Sequence, residues 1–404
     1  MNRGRITAVF AAATLYFTAL YVYVPTLPAY VAARTSSLTA VGVVLSMYGL
    51  WMAFLRMPLG VITDATGRYK AYVLAGVLLA GIGALVMAAG KTVGMLAVGR
   101  ALTGVSAAVW VPLMVVFAGL FPPRKTIFAT SLLSLASSLG QMIGTGSTGF
   151  VETWGGFALG FVVAAGLAAA ATGILVFVRI PRAGKEHRGT VTPRSILSIF
   201  QRRDVLIPSF TNALCQFGVW AVTFGFMPLL ARQVGAGSVA VGLIMTLNVA
   251  ATTAANLLAA LAARPENRKP LLYSSFALFA AGASTAALAR GVPLLFVSTV
   301  VMGLANGIFF PILLGMSIEK VDAPHRSTAM GIHQAVYAIG MFAGPWIGGV
   351  IADLTGIRVM FGIVAAFSLA APAGLIAFAL GSRAPARGTH ASERPPRQAS
   401  RGTR

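Results

Sequence analysis

The chain has 404 residues, of which 57% are hydrophobic and only 10% charged, and its mean hydropathy is +0.83. A soluble domain carries about 25% charged residues, and nine Asp and Glu cannot cover a water-soluble surface of this size. The composition excludes a soluble globule and fits an all-α, polytopic membrane protein. A net charge of +22 would suggest nucleic acid in a soluble chain, but here its placement decides.

Arg3 and Arg5 precede an apolar run from Ile6 to about Val31. That run is too long for a signal-peptide core and no convincing cleavage site follows, so it is expected to be the first membrane span. With a span taken as roughly 20 mostly apolar residues, twelve succeed one another: about 6–31, 39–62, 71–90, 93–121, 126–150, 156–179, 206–231, 239–261, 271–289, 293–318, 327–351 and 357–380. The longest polar interruption, 180–205, separates a six-helix bundle over 1–179 from another over 206–381. The tail 382–404 is basic and rich in Pro, Ser and Gly, and is expected to be disordered. Cys215 is the only cysteine, so no intrachain disulfide can form.

Positive charge follows this division. With the N-terminus inside, inner segments hold 24 Lys and Arg, outer loops hold five, and Arg56 and Arg100 fall within spans. The positive-inside rule then places both termini and the central loop in the cytosol, with the chain in the cell membrane. It also removes the nucleic-acid reading, because the charge lies in short juxtamembrane loops. The tail either touches anionic lipid or is simply solvated.

The two halves repeat. At an offset of 200, Pro28 meets Pro228 and Ala40-Val41-Gly42 meets Ala240-Val241-Gly242. At 199, Gly104 meets Gly303 and Pro112 meets Pro311; at 200 again, Gly140, Gly144 and Gly149 meet Gly340, Gly344 and Gly349. Six helices repeated in one orientation imply two pseudo-symmetric bundles about an axis along the membrane normal.

Between the second and third spans lies "GVITDATGRYK", a tight basic turn with one acid. Gly60, Asp64, Gly67, Arg68 and Lys70 resemble motif A of the major facilitator superfamily, with Ala65 departing where a basic residue is usual. Twelve spans, a six-plus-six repeat and a long central loop extend the resemblance over nearly the whole chain. The resemblance implies that motif A is a cytosolic latch between the halves, Asp64 facing the start of the eleventh span near Ser327. An ordinary charged turn is the alternative. The second-half counterpart, 262–269, lacks the glycines and the aspartate.

Arg100 lies about eight residues, or roughly 12 Å, into the fourth span. An intramembrane arginine is a functional hypothesis by default, although it can snorkel to the surface. Arg100 and Gly104 resemble motif B, which would set Arg100 at the cavity edge, either biasing a nearby acid or attracting an anionic substrate. Arg56 is close enough to the cytosolic side to snorkel. In "GMFAGPWIGG", Gly340, Gly344, Pro345, Gly348 and Gly349 resemble motif C, a bent and closely packed helix. The family's copy belongs in the fifth span, where Thr145 stands in place of proline.

No carboxylate falls at mid-membrane. His333 is the remaining deep side chain that titrates near neutrality, as a proton carrier or as a hydrogen-bonded structural imidazole. Glu152, Asp353 or Asp64 could serve if its span is deeper than expected. Gln141, Asn212, Gln216, Asn306 and Gln334 are further cavity candidates, each as suited to helix–helix hydrogen bonding. An apolar, aromatic cavity suits an amphipathic solute better than a sugar.

The resulting expectation is a monomeric secondary transporter in the lipid bilayer, moving a small organic substrate by alternating access. The resemblance to the twelve-helix drug:proton antiporters favours proton-coupled export. The alternative is a uniporter, importer or exchanger of a small organic anion, with Arg100 as the anion-binding charge. No nucleophile–base pair, metal cluster or phosphate loop is evident, so no enzyme activity, cofactor or metal is expected.

Overall fold

The computed structural model describes residues 3–178, 198–264, 266–322 and 325–381. The tail and most of the central loop, on which two expectations rest, lie outside the described residues. Helices make up the fold: α1 (Arg3–Tyr21), α2 (Leu27–Ala32), α3 (Leu38–Thr66), α4 (Tyr69–Ala88), α5 (Val93–Ala107), α6 (Trp110–Ala118) and α7 (Thr126–Phe177) in the first domain. In the second domain follow α8 (Arg203–Ala221), α9 (Met227–Gln233), α10 (Ser238–Ala262), α11 (Arg268–Leu288), α12 (Val292–Ile318), α13 (Arg326–Thr355) and α14 (Ile357–Gly381).

Ten helices among the described residues are long and apolar enough to cross a membrane; Phe128–Phe177 counts once and α1 is not among them. As one rod α7 would reach about 78 Å, far beyond the ~30 Å hydrocarbon layer. It breaks at Gly155 and Gly156, where Gly156 has φ 68°, a left-handed value that glycine takes without a Cβ clash. The first expected span is also broken, between Tyr21 and Leu27, next to Pro25 and Pro28. Its counterpart breaks at the matching place, a π turn over Val222–Phe226 followed by Pro228. Prolines donate no N–H, and π turns concentrate at functional sites.

Both domains use one packing plan. In the first, α1 packs on α7, α3 and α4 on α5, and α4 on α7; in the second, α8 packs on α13, α10 and α11 on α12, and α11 on α14. Only the pairs α3–α13 and α7–α10 join the domains extensively. One apolar core lies within the first domain around Tyr16, Phe117 and Leu133. A larger one runs across both, from Tyr23 and Tyr48 to Trp220, Phe226 and Met245.

Candidate substrate site between the two domains

Glycines let the domains touch. A Cβ on Gly349 would stand 2.5 Å from the Leu38 carbonyl oxygen of α3, and one on Gly149 would collide with Ser238 and Val239 of α10. Gly140 and Gly144 lie against α1 at Thr14, Phe17 and Thr18, just as Gly340 and Gly344 lie against α8 at Ala213 and Phe217. Gly348 faces Ala221 more loosely, at 3.3 Å. α13 stays helical through Pro345, whose carbonyl sits where a Cβ of Gly42 would be; the Thr145 carbonyl faces Gly242 in the same way. In the copy lacking proline, the Thr145 hydroxyl also meets that of Thr246 across the domains at 2.9 Å.

Two carboxylates complete the far face, the end of the molecule that carries the starts of α3 and α10. Asp353 accepts from the backbone N–H of Leu38 (2.6 Å) and Thr39 (2.8 Å) and from the Ser37 hydroxyl (2.8 Å). A carboxylate so placed meets the unpaired amides and positive end of α3. Glu152 accepts from Arg232 through both oxygens, at 2.7 and 2.8 Å, and from the Ser238 hydroxyl at the start of α10 (2.8 Å). Both contacts cross the domain boundary at equivalent places of the repeat.

The opposite, basic face carries the motif A residues. Gly67 caps α3 with φ 65°, but Asp64 accepts a hydrogen bond from Tyr69 at 2.6 Å within the same turn and makes no described contact with α13. Lys70 donates to the carbonyls of Val176 and Val178, at 2.9 and 2.7 Å, capping the end of α7 in its own domain. Arg68 is exposed, and nothing lies within 4 Å of a Cβ on Gly60. In this structure Asp64 and Lys70 are engaged inside the first domain.

Between the faces lies an aromatic cluster drawn from both domains. Tyr48 of α3 stacks on Trp220 of α8 (centroids 5.4 Å, interplanar 17°), and Trp220 meets Phe224 at 4.9 Å. Tyr21 reaches Phe224 edge-on, and Phe310 reaches Tyr337. Arg100 lies over the Tyr48 ring, 4.4 Å from its centroid. It is 3% exposed, and its Nε and Nη1 have no hydrogen-bond partner. It does not snorkel. Gly104, one turn along α5, lets that helix close on Tyr48.

Arg56 is likewise only 7% exposed, which corrects the snorkelling expectation. Its Nη1 donates across the domains to the Tyr337 hydroxyl (2.8 Å), while Nε has no partner. None of the described carboxylates reaches either guanidinium. Asp64, Glu152 and Asp353 are engaged as above, Asp204 with Arg202, and Glu319 with Arg268; Glu266 and Asp322 sit in turns.

The polar candidates divide into groups. His333 is fully buried between Ser209, 3.0 Å from Nδ1, and Asn212, 3.0 Å from Nε2. The Ser209 hydroxyl donates to the Val205 carbonyl (2.6 Å), so its oxygen accepts from Nδ1–H and Nε2 accepts from the Asn212 amide. That arrangement holds a neutral imidazole, with Asn212 Oδ1 left unpartnered. Gln216 approaches Asn306 at 3.5 Å, and the buried Gln334 has an unpartnered Oε1. Gln141 donates to Ser137 of its own helix and joins none of these. A separate cavity of about 420 Å³, between Arg264, Arg268, Pro311 and Glu319, lies on the basic face, away from the aromatic cluster.

The profile of the Major Facilitator Superfamily matches residues 9–236 and again 209–402. The chain belongs to the major facilitator superfamily. Solved superfamily members superpose along nearly its whole length. The nucleoside transporter NupG is 16% identical with a TM-score of 0.78, covering 93% of this chain and 99% of its own. The human organic anion transporter MFSD10 (TETRAN) is 15% identical at 0.68, covering 93% and 100%. A bacterial homolog of the human lysosomal transporter Spinster, inward-facing and occupied, is 14% identical at 0.77, covering 94% and 96%. At such identities the likeness is one of fold. No curated protein matches the chain in sequence.

Sequence reasoning passed over Tyr48, Arg232, Ser209 and the role of Arg56. Glu152 and Asp353 did carry a signal: each follows the last glycine of its repeat, Gly149 or Gly349, by one helical turn.

Proposed function

We propose that this superfamily transporter moves a small organic anion with an apolar or aromatic body by alternating access, and that Arg100 is the charge that binds the anion. One observation carries the reading: an arginine only 3% exposed, with two unpartnered nitrogens and, among the described residues, no carboxylate beside it. A buried ion without a counter-charge costs several kcal/mol, which a bound anion would offset. Tyr48, Trp220 and Phe224 supply the matching apolar wall. An organic anion transporter among the structural relatives agrees with this choice.

In the same reading the basic face is cytosolic, both termini lie there, and one chain acts as a monomer. The far face, bound by Asp353 and Glu152, is then the closed outer gate of an inward-facing state. Proton-coupled export of a drug or metabolite has one feature in its favour, the neutral His333 held between Ser209 and Asn212.

Uptake into proteoliposomes separates the two. Under the anion reading, aromatic monocarboxylates such as benzoate enter and continue to exchange after the proton gradient is collapsed. Accumulation of a cationic drug that requires the gradient and survives Arg100→Gln would overturn it.

A further inference from the structure

We propose that the site recognises a substrate with two anionic groups, the first on Arg100 and the second on Arg56; this rests on the Arg100 reading above. The two guanidiniums belong to helices packed on each other, α5 and α3; Arg100 lies over the Tyr48 ring, and Arg56 follows Tyr48 by two turns of α3. Each keeps at least one buried nitrogen without a partner: Nε of Arg56, and Nε and Nη1 of Arg100. Among the described residues their hydrogen-bonding neighbour is the Tyr337 hydroxyl, which occupies Nη1 of Arg56. Two like charges buried on adjoining helices repel each other and lack a counter-ion among the described residues, so a single anion leaves the second uncompensated. A guanidinium fork suits a carboxylate, which accepts from two of its N–H groups at once.

Position adds selectivity. Arg100 approaches from within the first domain, whereas Arg56 already spans the boundary to α13 through Tyr337. An anion on Arg56 competes for the Tyr337 contact and touches both domains, while one on Arg100 touches the aromatic wall. A dicarboxylate bridges the two sites, and a monocarboxylate fills only the first. An organic molecule with two carboxylates on an aromatic or aliphatic frame meets these demands.

The test uses purified full-length protein and matched probes, benzoate against benzene-1,3-dicarboxylate and hexanoate against adipate. Binding is read by tryptophan fluorescence and by ligand-induced shift of the unfolding midpoint. The dicarboxylate of at least one pair is expected to bind at least tenfold more tightly than its monocarboxylate. Arg56→Gln should reduce that ratio to about twofold or less. Arg56→Lys, which retains the charge, should keep part of the ratio, a result that a merely structural Arg56 would not give. Equal binding of both members of each pair by the wild type, or an unchanged ratio in Arg56→Gln, overturns the two-anion site while leaving Arg100 standing. Binding of none of the four probes overturns the anion reading itself.

Discussion

The far face and the aromatic centre treat buried cations in opposite ways. At the far face, Arg232 meets both oxygens of Glu152, and Asp353 sits on the exposed amides at the start of α3. At the centre, Arg100 and Arg56 are more deeply buried and have no acid among the described residues. Paired charges hold two domains in one arrangement because the free energy is gained within the protein. Unpaired charges withhold that gain until something else enters. Under the proposed function the first region is a gate and the second a receptor.

The glycine contacts offer the strongest way to break the gate. Gly349→Leu places a side chain where the Leu38 carbonyl now lies, and backbone cannot yield as a flexible side chain does. Overpacking of this kind costs about 1–3 kcal/mol. The far face is expected to open, and labelling of a cysteine introduced at Ser37 should rise at least several-fold while transport falls. Unchanged labelling would mean that the α3–α13 contact does not close the gate.

Glu152→Gln is the next step down. It leaves Arg232 without its carboxylate, but both groups are partly solvated, so about 1 kcal/mol is expected rather than the 3–5 of a fully buried pair. A double-mutant cycle with Arg232→Gln isolates the pairwise part. A coupling indistinguishable from zero would remove the ion pair from the gate.

Asp64→Asn sharpens the contrast from the other end. In this arrangement Asp64 only accepts from Tyr69, and an asparagine oxygen accepts equally well. Unfolding stability should change by less than about 0.5 kcal/mol, in the range of an ordinary surface substitution, whereas transport slows if motif A latches in the opposite state. A large loss of stability with normal transport would reverse that assignment.

Much of this was legible in the sequence. Hydropathy set the helices to within a few residues, and the offset of 200 gave the repeat, because both depend on local pattern. The same offset matched glycines that prove to be equivalent contacts, Gly140 with Gly340 on the first helix of each domain and Gly149 with Gly349 at the gate. The breaks after Tyr21 and Ala221 were not legible, since a π turn follows from neighbours rather than from period. Nor was the fate of Arg56. Whether a long cation reaches the surface or a partner depends on the facing helix, here on Tyr337 of another domain. Motif A covers the end of α3 and the turn at Gly67 and Arg68, and a latch role rests on the facing helix rather than on residue type.

The most direct measurement is benzoate binding to wild type and to Arg100→Gln, with the unfolding midpoint of each unliganded protein recorded alongside. Loss of one charge contact should weaken binding at least about tenfold, or 1.4 kcal/mol. Removing an uncompensated buried charge should leave the unliganded midpoint equal or higher. Undiminished binding, or a clearly less stable unliganded variant, would show that Arg100 serves the fold and not the substrate.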